Sequence, residues 1–322
     1  MDETITTQAS LSNTTSGLTN PQEFAYDPCE RPSHDILIIS CVCTFISVCG
    51  LVGNVVVVWF LGCCMKQNPF TVYVLNLAIA DFSLLLILLV NLLLHFIISP
   101  EYCISHYVFF MINSILFILF LFCYFAGMYL LTAMSVERCL AALFPLWYRC
   151  HRPERLSGIL CGVLWTLAAL FATLLFVVCF FHESCQQLFY VLSIVNFVLF
   201  SFFPFLSNLA LFIKLRCGSQ RRHPGKLYVT VLLSVTFLFI LGFPFSVEAF
   251  IAMYYPRSYY ISCLLTSLNS SINPFLYFLV GSCRQRRFQC SLKVAFRRLF
   301  EEEATREERS QKPGDAMVES SV

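Results

Sequence analysis

Long stretches of the chain contain no charged side chain, and short polar segments separate them. Seven such stretches cover 36–65, 67–100 with Asp81 inside it, 102–136, 156–182, 184–213, 227–247 and 258–283. A transmembrane helix needs about 20 consecutive apolar residues, whereas a strand of a closed barrel needs only about 10 in an alternating pattern. The pattern therefore predicts seven transmembrane helices, called spans 1 to 7 below.

The basic residues orient these spans. They cluster in the segments that follow spans 1, 3, 5 and 7, and only Arg31 and Arg257 of the 21 Lys and Arg residues lie on the other side. Loops rich in Lys and Arg stay in the cytoplasm. We therefore expect a multi-pass protein of the plasma membrane with its N-terminus outside the cell and its C-terminus in the cytoplasm.

The spans divide the chain into four parts. Residues 1–35 form a polar extracellular tail, 36–281 the helix bundle, 282–300 a cytoplasmic amphipathic helix and 301–322 a disordered cytoplasmic tail. The first part lacks the apolar segment of a cleavable signal peptide, and Asn13 lies in a glycosylation sequon. The expected fold is an all-α membrane protein, a seven-transmembrane helix bundle with a short amphipathic eighth helix.

The composition supports this interpretation. Hydrophobic residues make up 58% of the chain and charged residues 12%, whereas a soluble domain carries roughly 25% charged residues. A soluble core could not hide so much apolar side chain. The composition excludes a water-soluble enzyme, a nucleic-acid-binding protein and a disordered regulator. The loops leave no room for a soluble catalytic domain, and no cofactor is expected.

Polar side chains inside the spans are the first candidates for function. Five of them lie at similar depth in spans 1, 2 and 7: Asn54, Asp81, Asn269, Ser270 and Asn273. Polar groups in hydrocarbon are costly unless they face the bundle interior and one another. We expect a network that links the three spans. It is either part of a conformational switch or a polar core that only holds the helices together.

Further motifs lie at the inner end of span 3 and within the last three spans. They are Glu137-Arg138-Cys139, Pro204, Pro244 and Asn273-Pro274-x-x-Tyr277. A proline inside a helix removes a backbone hydrogen bond and kinks the helix. As a set and in this order, these features resemble the rhodopsin-like G-protein-coupled receptors over nearly all of residues 35–300.

A finer resemblance is to the Mas and Mas-related receptors. It rests on the stretches 68–73, 135–140 and 144–153. Cys139, where most relatives have Tyr, is a mark of that branch. The resemblance implies a receptor, not an enzyme, that is activated by an extracellular peptide or small molecule at a shallow pocket.

The resemblance also implies a mechanism. At rest Arg138 would be held by Glu137 and by the inner end of span 6. On activation span 6 moves outward, and Arg138 then faces a heterotrimeric G protein, of the Gq and/or Gi type. Asn273, Pro274 and Tyr277 would belong to the same switch. Arrestin is a further candidate partner.

A seven-helix transporter or channel is the alternative function. Such proteins tend to contain internal repeats, Gly-broken helix pairs and paired charges inside the membrane. The sequence shows no repeat and one deep acid, Asp81. These observations favour the receptor.

Four positions depart from the pattern of the wider family. Gly242 stands where the family has a Trp beneath the ligand, and Phe212 stands where it often has a Tyr in span 5. Gly127 replaces a Ser beside Asp81, and Asn113 replaces the Cys at the outer end of span 3. Gly127 argues against a sodium ion at Asp81 and leaves a protonated Asp81 as the alternative. Asn113 removes the usual disulfide.

The resemblance implies a replacement for that disulfide. In the Mas-related branch a disulfide joins the outer end of span 4 to the start of span 5, and Cys179 and Cys185 match that placement. A pairing of Cys29 with Cys263 stays open as an additional bridge, and Cys103 competes for either.

The resemblance does not extend to a cationic-peptide ligand. In the branch, the best-known pocket for such ligands uses two acids, and the corresponding positions here are Leu175 and roughly Phe189. Glu248 is the only acid in the outer half of any span. It is either the partner of a ligand amine or guanidinium or a solvated acid at the rim. Other candidate ligand-binding residues are Asn91, His95, Phe117, Leu121, Tyr124 and His182.

The cytoplasmic tail offers candidate sites for modification and partners. The amphipathic helix is expected to lie on membrane lipid, and Cys283 and Cys290 are candidate palmitoylation sites. The last residues, Ser320, Ser321 and Val322, match a C-terminus that adds a strand to a PDZ domain. Such short matches also arise by chance.

Overall fold

The computed structural model describes residues 33–65, 68–98, 106–144, 155–181, 202–210, 226–237 and 256–282, with isolated positions between 148 and 153, between 191 and 213, and at 240–241. Several predictions lie outside the described residues. They concern Asn13, Cys29, His182, Cys185, Glu248, Cys283, Cys290, the eighth helix, and Ser320, Ser321 and Val322.

All regular elements in the described part are helices. They are α1 (His34–Trp59), which continues as a π-helix (Phe60–Cys64), α2 (Pro69–Leu93), which continues as a second π-helix (Leu94–Ile98), α3 (His106–Leu143), α4 (Leu156–Phe181), α5 (202–210), α6 (Lys226–Phe237) and α7 (Pro256–Ser282). Each lies largely within the predicted span of the same number. Four helical stretches in this part of the chain are long and apolar enough to cross a membrane: His34–Cys64, Pro69–Phe96, Tyr107–Ala141 and Leu156–Val177.

The start of α2 is specified by its sequence. The Asn68 side chain accepts a hydrogen bond from the Thr71 backbone amide at 2.8 Å, and the Thr71 hydroxyl accepts one from the Asn68 amide at 2.8 Å. This reciprocal pair satisfies amides that the first helical turn leaves unpaired. Pro69 occupies the first turn, where its missing amide costs nothing. The first turn, which carries Phe70, is therefore held firmly.

Burial is inverted relative to a soluble protein. Phe45 and Ile159 are 70% and 62% exposed, whereas Asn54 and Asp81 are 1% and 5% exposed. Exposed apolar side chains are favourable in hydrocarbon, and polar groups gain by turning to one another inside the bundle. The described helices therefore have the surface of a membrane protein, as the sequence predicts.

Span 5 is attached to α3 by two hydrogen bonds. The Tyr129 hydroxyl donates to Asn196 Oδ1 at 2.7 Å, and the Thr132 hydroxyl donates to the Phe200 carbonyl at 2.6 Å. Because hydrogen bonds between helices replace contacts that lipid cannot offer, these bonds fix span 5 beside α3.

Close packing of α1 on α7 depends on Gly50. A Cβ atom at this position would clash with the Ser271 side chain and stand 2.7 Å from Leu85 Cδ1. The Ser271 hydroxyl donates to the Ile46 carbonyl at 3.2 Å, so it is tied to α1 at this crossing. Small residues let helix backbones approach closely in membranes.

We predict that Gly50→Ala lowers the free energy of unfolding by about 1–3 kcal/mol, because it overpacks the contact between α1 and α7. The measurement is the midpoint of thermal unfolding of the detergent-solubilised protein. Gly162→Ala is the matched control, since a Cβ there meets no atom within 4 Å. Equal midpoints for the two variants would contradict the packing argument.

Candidate functional site

Polar side chains of spans 1, 2 and 7 meet inside the helix bundle. We call the five expected residues the polar core: Asn54, Asp81, Asn269, Ser270 and Asn273. Asn273 Nδ2 donates to Asp81 Oδ2 at 2.8 Å. Asn54 Nδ2 donates to the Gly50 carbonyl at 2.9 Å and to the Ser270 carbonyl of α7 at 3.2 Å. The Ser270 side chain also meets Asp81, and Asn269 is buried one residue before Ser270 in α7. A carboxylate and two amides thus join α1, α2 and α7.

The surroundings of Asp81 bear on the sodium question. Its carboxylate is met by the Asn273 amide and by the Ser270 hydroxyl. A Cβ atom on Gly127 would stand 3.9 Å from Asp81 Oδ1 and 3.8 Å from Leu77 Cδ1, so the oxygen that a Ser would supply is missing there. Asp81 is stabilised by hydrogen-bond donors of the protein.

Pro274 and Tyr277 lie in α7, on the C-terminal side of the polar-core residues of that helix. Pro274 is inside α7, and Tyr277 is 3% exposed. A Cβ atom on Gly53 would come within 3.0 Å of Pro274, so α1 packs directly on the proline. The proline leaves a backbone carbonyl without its helical donor, which permits α7 to bend at this point.

At the end of α3 that the basic loops predict to be cytoplasmic, Glu137 has partners that the sequence analysis did not identify. Its Oε1 accepts a hydrogen bond from the Tyr148 hydroxyl at 2.8 Å and forms an ion pair with Arg152. Arg152 also contacts the Ser157 hydroxyl at the start of α4. We call Glu137, Tyr148, Arg152 and Ser157 the cytoplasmic cluster. It joins α3, the 3–4 loop and α4.

The cytoplasmic cluster is shielded from water. The side chains of Arg152 and Glu137 are 5% and 13% exposed. Burial and the neighbouring Glu137 carboxylate raise the pKa of Tyr148 above its usual range, so the phenol stays protonated and donates to Glu137. Separating this pair would leave two charges without partners in a place that has little contact with water. Because that is costly, the pair is expected to stay together.

Arg138 contacts a residue that the resemblance did not name. Its guanidinium carbon lies 4.0 Å from the centroid of the Phe70 ring. This distance is well within the range of a cation–π interaction. Glu137, the residue expected to hold Arg138, engages Arg152 and Tyr148 through Oε1, and its Oε2 is buried without a hydrogen-bond partner.

A second group of polar side chains lies toward the outer ends of α2, α3 and α7. Asn91 Nδ2 donates to Asn113 Oδ1 at 3.2 Å, and the Tyr259 hydroxyl donates to Asn91 Oδ1 at 3.2 Å. His95 Nδ1 lies 2.9 Å from the Asn91 carbonyl. We call these four residues the outer polar cluster. Asn113, which replaces the expected Cys, forms a hydrogen bond between helices.

A small cavity adjoins the outer polar cluster. Its lining is Ile87, Leu88, Asn91, Phe117, Phe120, Tyr259 and Cys263, and it has room for about one water molecule. Of the predicted ligand-binding residues, Asn91 and Phe117 line it and His95 packs beside it against Tyr259. Leu121 and Tyr124 are buried in the helix core at 2% and 4% exposure. Glu248 and His182 lie outside the described residues.

The structure describes some of the cysteines that were expected to form disulfides. Cys263 is a free, buried thiol, so the structure does not form the bridge from Cys29 to Cys263. Its neighbour is the Tyr259 side chain. Cys179 belongs to α4, but its side chain and all of Cys185 lie outside the description. The bridge between those two stays a prediction.

Sequence reasoning missed Phe70, Tyr148, Arg152 and Tyr259. Arg152 counts in the sequence only as a basic loop residue, and its partner is 15 positions away. Tyr259 donates to Asn91, 168 positions earlier. Neither partnership has a local signal. Burial of the pairs is the feature that reveals them.

Comparison with known proteins places this geometry in a family. The family described as "7 transmembrane receptor (rhodopsin family)" matches residues 53–277. The human "Proto-oncogene Mas" is 37% identical over 281 residues, which are 83% of this chain and 85% of the relative. Human "Mas-related G-protein coupled receptor member X1" is 36% identical over 294 residues, 85% of each chain. Member X2 of Pongo pygmaeus is 37% identical over 277 residues, 81% of this chain and 82% of the relative.

The matched region contains the polar core and the Glu137-Arg138 pair, and it ends at Tyr277. Relatives that share more than a third of their residues over four-fifths of the chain share its architecture as well. The chain therefore belongs to the rhodopsin family of seven-transmembrane receptors, in its Mas-related branch, and is a G-protein-coupled receptor, not an enzyme.

Proposed function

We propose that this receptor binds a peptide or a small molecule at a shallow extracellular pocket and activates a heterotrimeric G protein of the Gq or Gi type through outward movement of span 6. The observation that carries the proposal is the position of the polar core. Asp81 and Asn273 lie between the outer polar cluster and the cytoplasmic end of α3, and they join helices that reach both.

The chemistry of the outer half supports a ligand with an apolar body and few polar groups. Asn91, Asn113 and Tyr259 present neutral hydrogen-bonding groups, and Phe117 and Phe120 present ring surface. The cavity between them holds about one water molecule, so a ligand must bind above it or widen it. Both routes agree with a shallow pocket. Glu248 is proposed as the anchor of a ligand cation, and a solvated rim acid is the alternative.

The switch operates as a shift between two packings. The receptor alternates between them, and a ligand outside or a G protein inside biases the equilibrium by its differential affinity. Pro274 lets α7 bend next to the polar core, where Gly53 of α1 packs directly on the proline. A displacement of α7 at Asn273 therefore changes the hydrogen bond to Asp81 and the packing of α1 together.

The remaining proposals concern topology and partners. We place the N-terminus, with a glycan at Asn13, outside the cell and the C-terminus in the cytoplasm. Arrestin, a PDZ-domain protein at Ser320, Ser321 and Val322, and membrane lipid under the amphipathic helix are proposed partners. The transporter or channel alternative is not favoured, because the relatives are named G-protein-coupled receptors.

We predict that Arg138→Ala abolishes G-protein activation while surface expression and ligand binding persist, because the guanidinium is the proposed contact with the G protein. The measurement is the calcium and cyclic-AMP response to an activating ligand found in a broad screen. The control is Arg155→Ala, which removes an exposed cation from the same cytoplasmic face. A full response from Arg138→Ala at normal surface level would refute its role.

We predict that Glu248→Gln weakens an activating ligand that carries an amine or guanidinium by about 10- to 100-fold, since hydrogen bonds to charged groups contribute about 1.5–3 kcal/mol. A neutral ligand should keep its potency. The measurement is the concentration for half-maximal response of each ligand type. Unchanged potency of the cationic ligand would assign Glu248 to the solvated rim.

A further inference from the structure

Span 5 contains a proline that removes one hydrogen bond from its helix. Each amide of an α-helix donates to the carbonyl four residues earlier, and Pro204 has no amide hydrogen. The carbonyl that loses its helical donor is therefore that of Phe200. Pro204 itself is buried. Because a buried carbonyl without a partner is costly and lipid supplies no donor, span 5 needs a hydrogen bond from another source at this point.

The donor comes from α3. The Thr132 hydroxyl donates to the Phe200 carbonyl at 2.6 Å, and Thr132 is 8% exposed. A hydroxyl has one proton, and the Met128 carbonyl of α3 lies 2.9 Å from the same oxygen. The Met128 carbonyl already has a helical donor in the backbone amide of Thr132, whereas the Phe200 carbonyl has lost its own. The shorter distance and the missing donor both assign the proton to Phe200.

A second contact, one turn earlier, aligns the two helices. The Tyr129 hydroxyl donates to Asn196 Oδ1 at 2.7 Å, and the ring centroids of Tyr129 and Phe200 lie 4.0 Å apart. Tyr129 and Thr132 are three positions apart in α3, and Asn196 and Phe200 are four apart in span 5. Each pair thus lies on one face of its helix. The Thr132 hydroxyl is held opposite the break in span 5 by this alignment as well as by its own bond.

We propose that the Thr132 hydroxyl takes the place of the missing Pro204 amide, and that α3 thereby fixes the bend of span 5 in the resting receptor. Thr132 is a positioning residue, because it acts through span 5. The inference rests on the proposed function, in which the bundle shifts between two packings. The packing with the cytoplasmic cluster closed is the resting one in this proposal.

The same bond connects span 5 to the switch. Thr132 and Arg138 belong to one continuous helix and lie about 9 Å apart along its axis. A movement of α3 that repositions Arg138 therefore also moves the Thr132 hydroxyl. When the hydroxyl withdraws, the Phe200 carbonyl has no donor, and span 5 is free to change its bend at Pro204.

We predict that Thr132→Val speeds hydrogen–deuterium exchange of the backbone at 202–210 by about two- to tenfold, the size expected for loss of one hydrogen bond. Val keeps the shape of the side chain and removes the hydroxyl. The full-length receptor is reconstituted in lipid nanodiscs without ligand. Thr132→Ser keeps the hydroxyl and should exchange like the wild type. Thr173→Val is the matched control, since the Thr173 hydroxyl donates within its own helix, to the Ala169 carbonyl at 2.8 Å.

A Pro204→Ala background tests the substitution of one donor for the other. It restores a backbone amide four residues after Phe200, so the Thr132 hydroxyl becomes dispensable. Adding Thr132→Val to it should change the exchange by less than half of its effect in the wild-type sequence. An effect of the same size in both backgrounds overturns the inference, and so does equal exchange in Thr132→Val and Thr132→Ser. If Pro204→Ala does not fold, the comparison of these two variants with Thr173→Val decides alone.

A third arm measures the switch itself. The readout is basal uptake of a fluorescent non-hydrolysable GTP analogue by purified Gi and Gq heterotrimers. Thr132→Val should raise basal uptake about two- to tenfold above Thr132→Ser, because loss of a bond in the resting packing favours the other packing. Uptake by Thr132→Val at or below that of Thr132→Ser overturns the inference. If neither heterotrimer responds to the wild-type receptor or to any variant, the proposed function fails, and the exchange experiment decides the role of Thr132.

Discussion

The cost of a polar group in an apolar medium governs the arrangement of this receptor. Asp81 lies among apolar helices at 5% exposure, and its hydrogen bond comes from Asn273, 192 positions later in the chain. Asn54 meets the same demand with the Ser270 carbonyl. Because lipid offers no substitute for these donors and acceptors, α1, α2 and α7 are held together. The close approach at Gly50 allows those bonds to form.

Buried polar side chains also need partners at both ends of the bundle. Neutral groups provide them at one end and charged groups at the other. The outer polar cluster is neutral, and Asn113 and Tyr259 satisfy the two ends of the Asn91 amide. The cytoplasmic cluster is charged, and Glu137 and Arg152 balance one another out of contact with water. Rearranging the neutral cluster costs only neutral hydrogen bonds, whereas separating the charged pair would leave buried charges without partners.

The residues around Glu137 and Arg138 have partners from other parts of the chain. The inner part of span 6 has no acid to offer Arg138, and Glu137 is engaged by the 3–4 loop. Arg138 lies against Phe70, whose position depends on the capped start of α2. Contacts at this end of the bundle thus join α3 to a helix terminus and to a loop.

The sequence by itself determined what depends on local composition. The charge-free stretches, the basic segments between them and the prolines predicted membrane helices, and the spans that the structure describes agree with those predictions because hydrophobic length is a property of consecutive residues. The sequence also predicted that Asn54, Asp81 and Asn273 would meet, since polar groups at equal depth have few other partners. Only the tertiary structure decided that Arg152 pairs with Glu137 and that Arg138 lies on Phe70. Those choices depend on how distant helices and a loop are packed, because a side chain takes the partner that packing brings within reach.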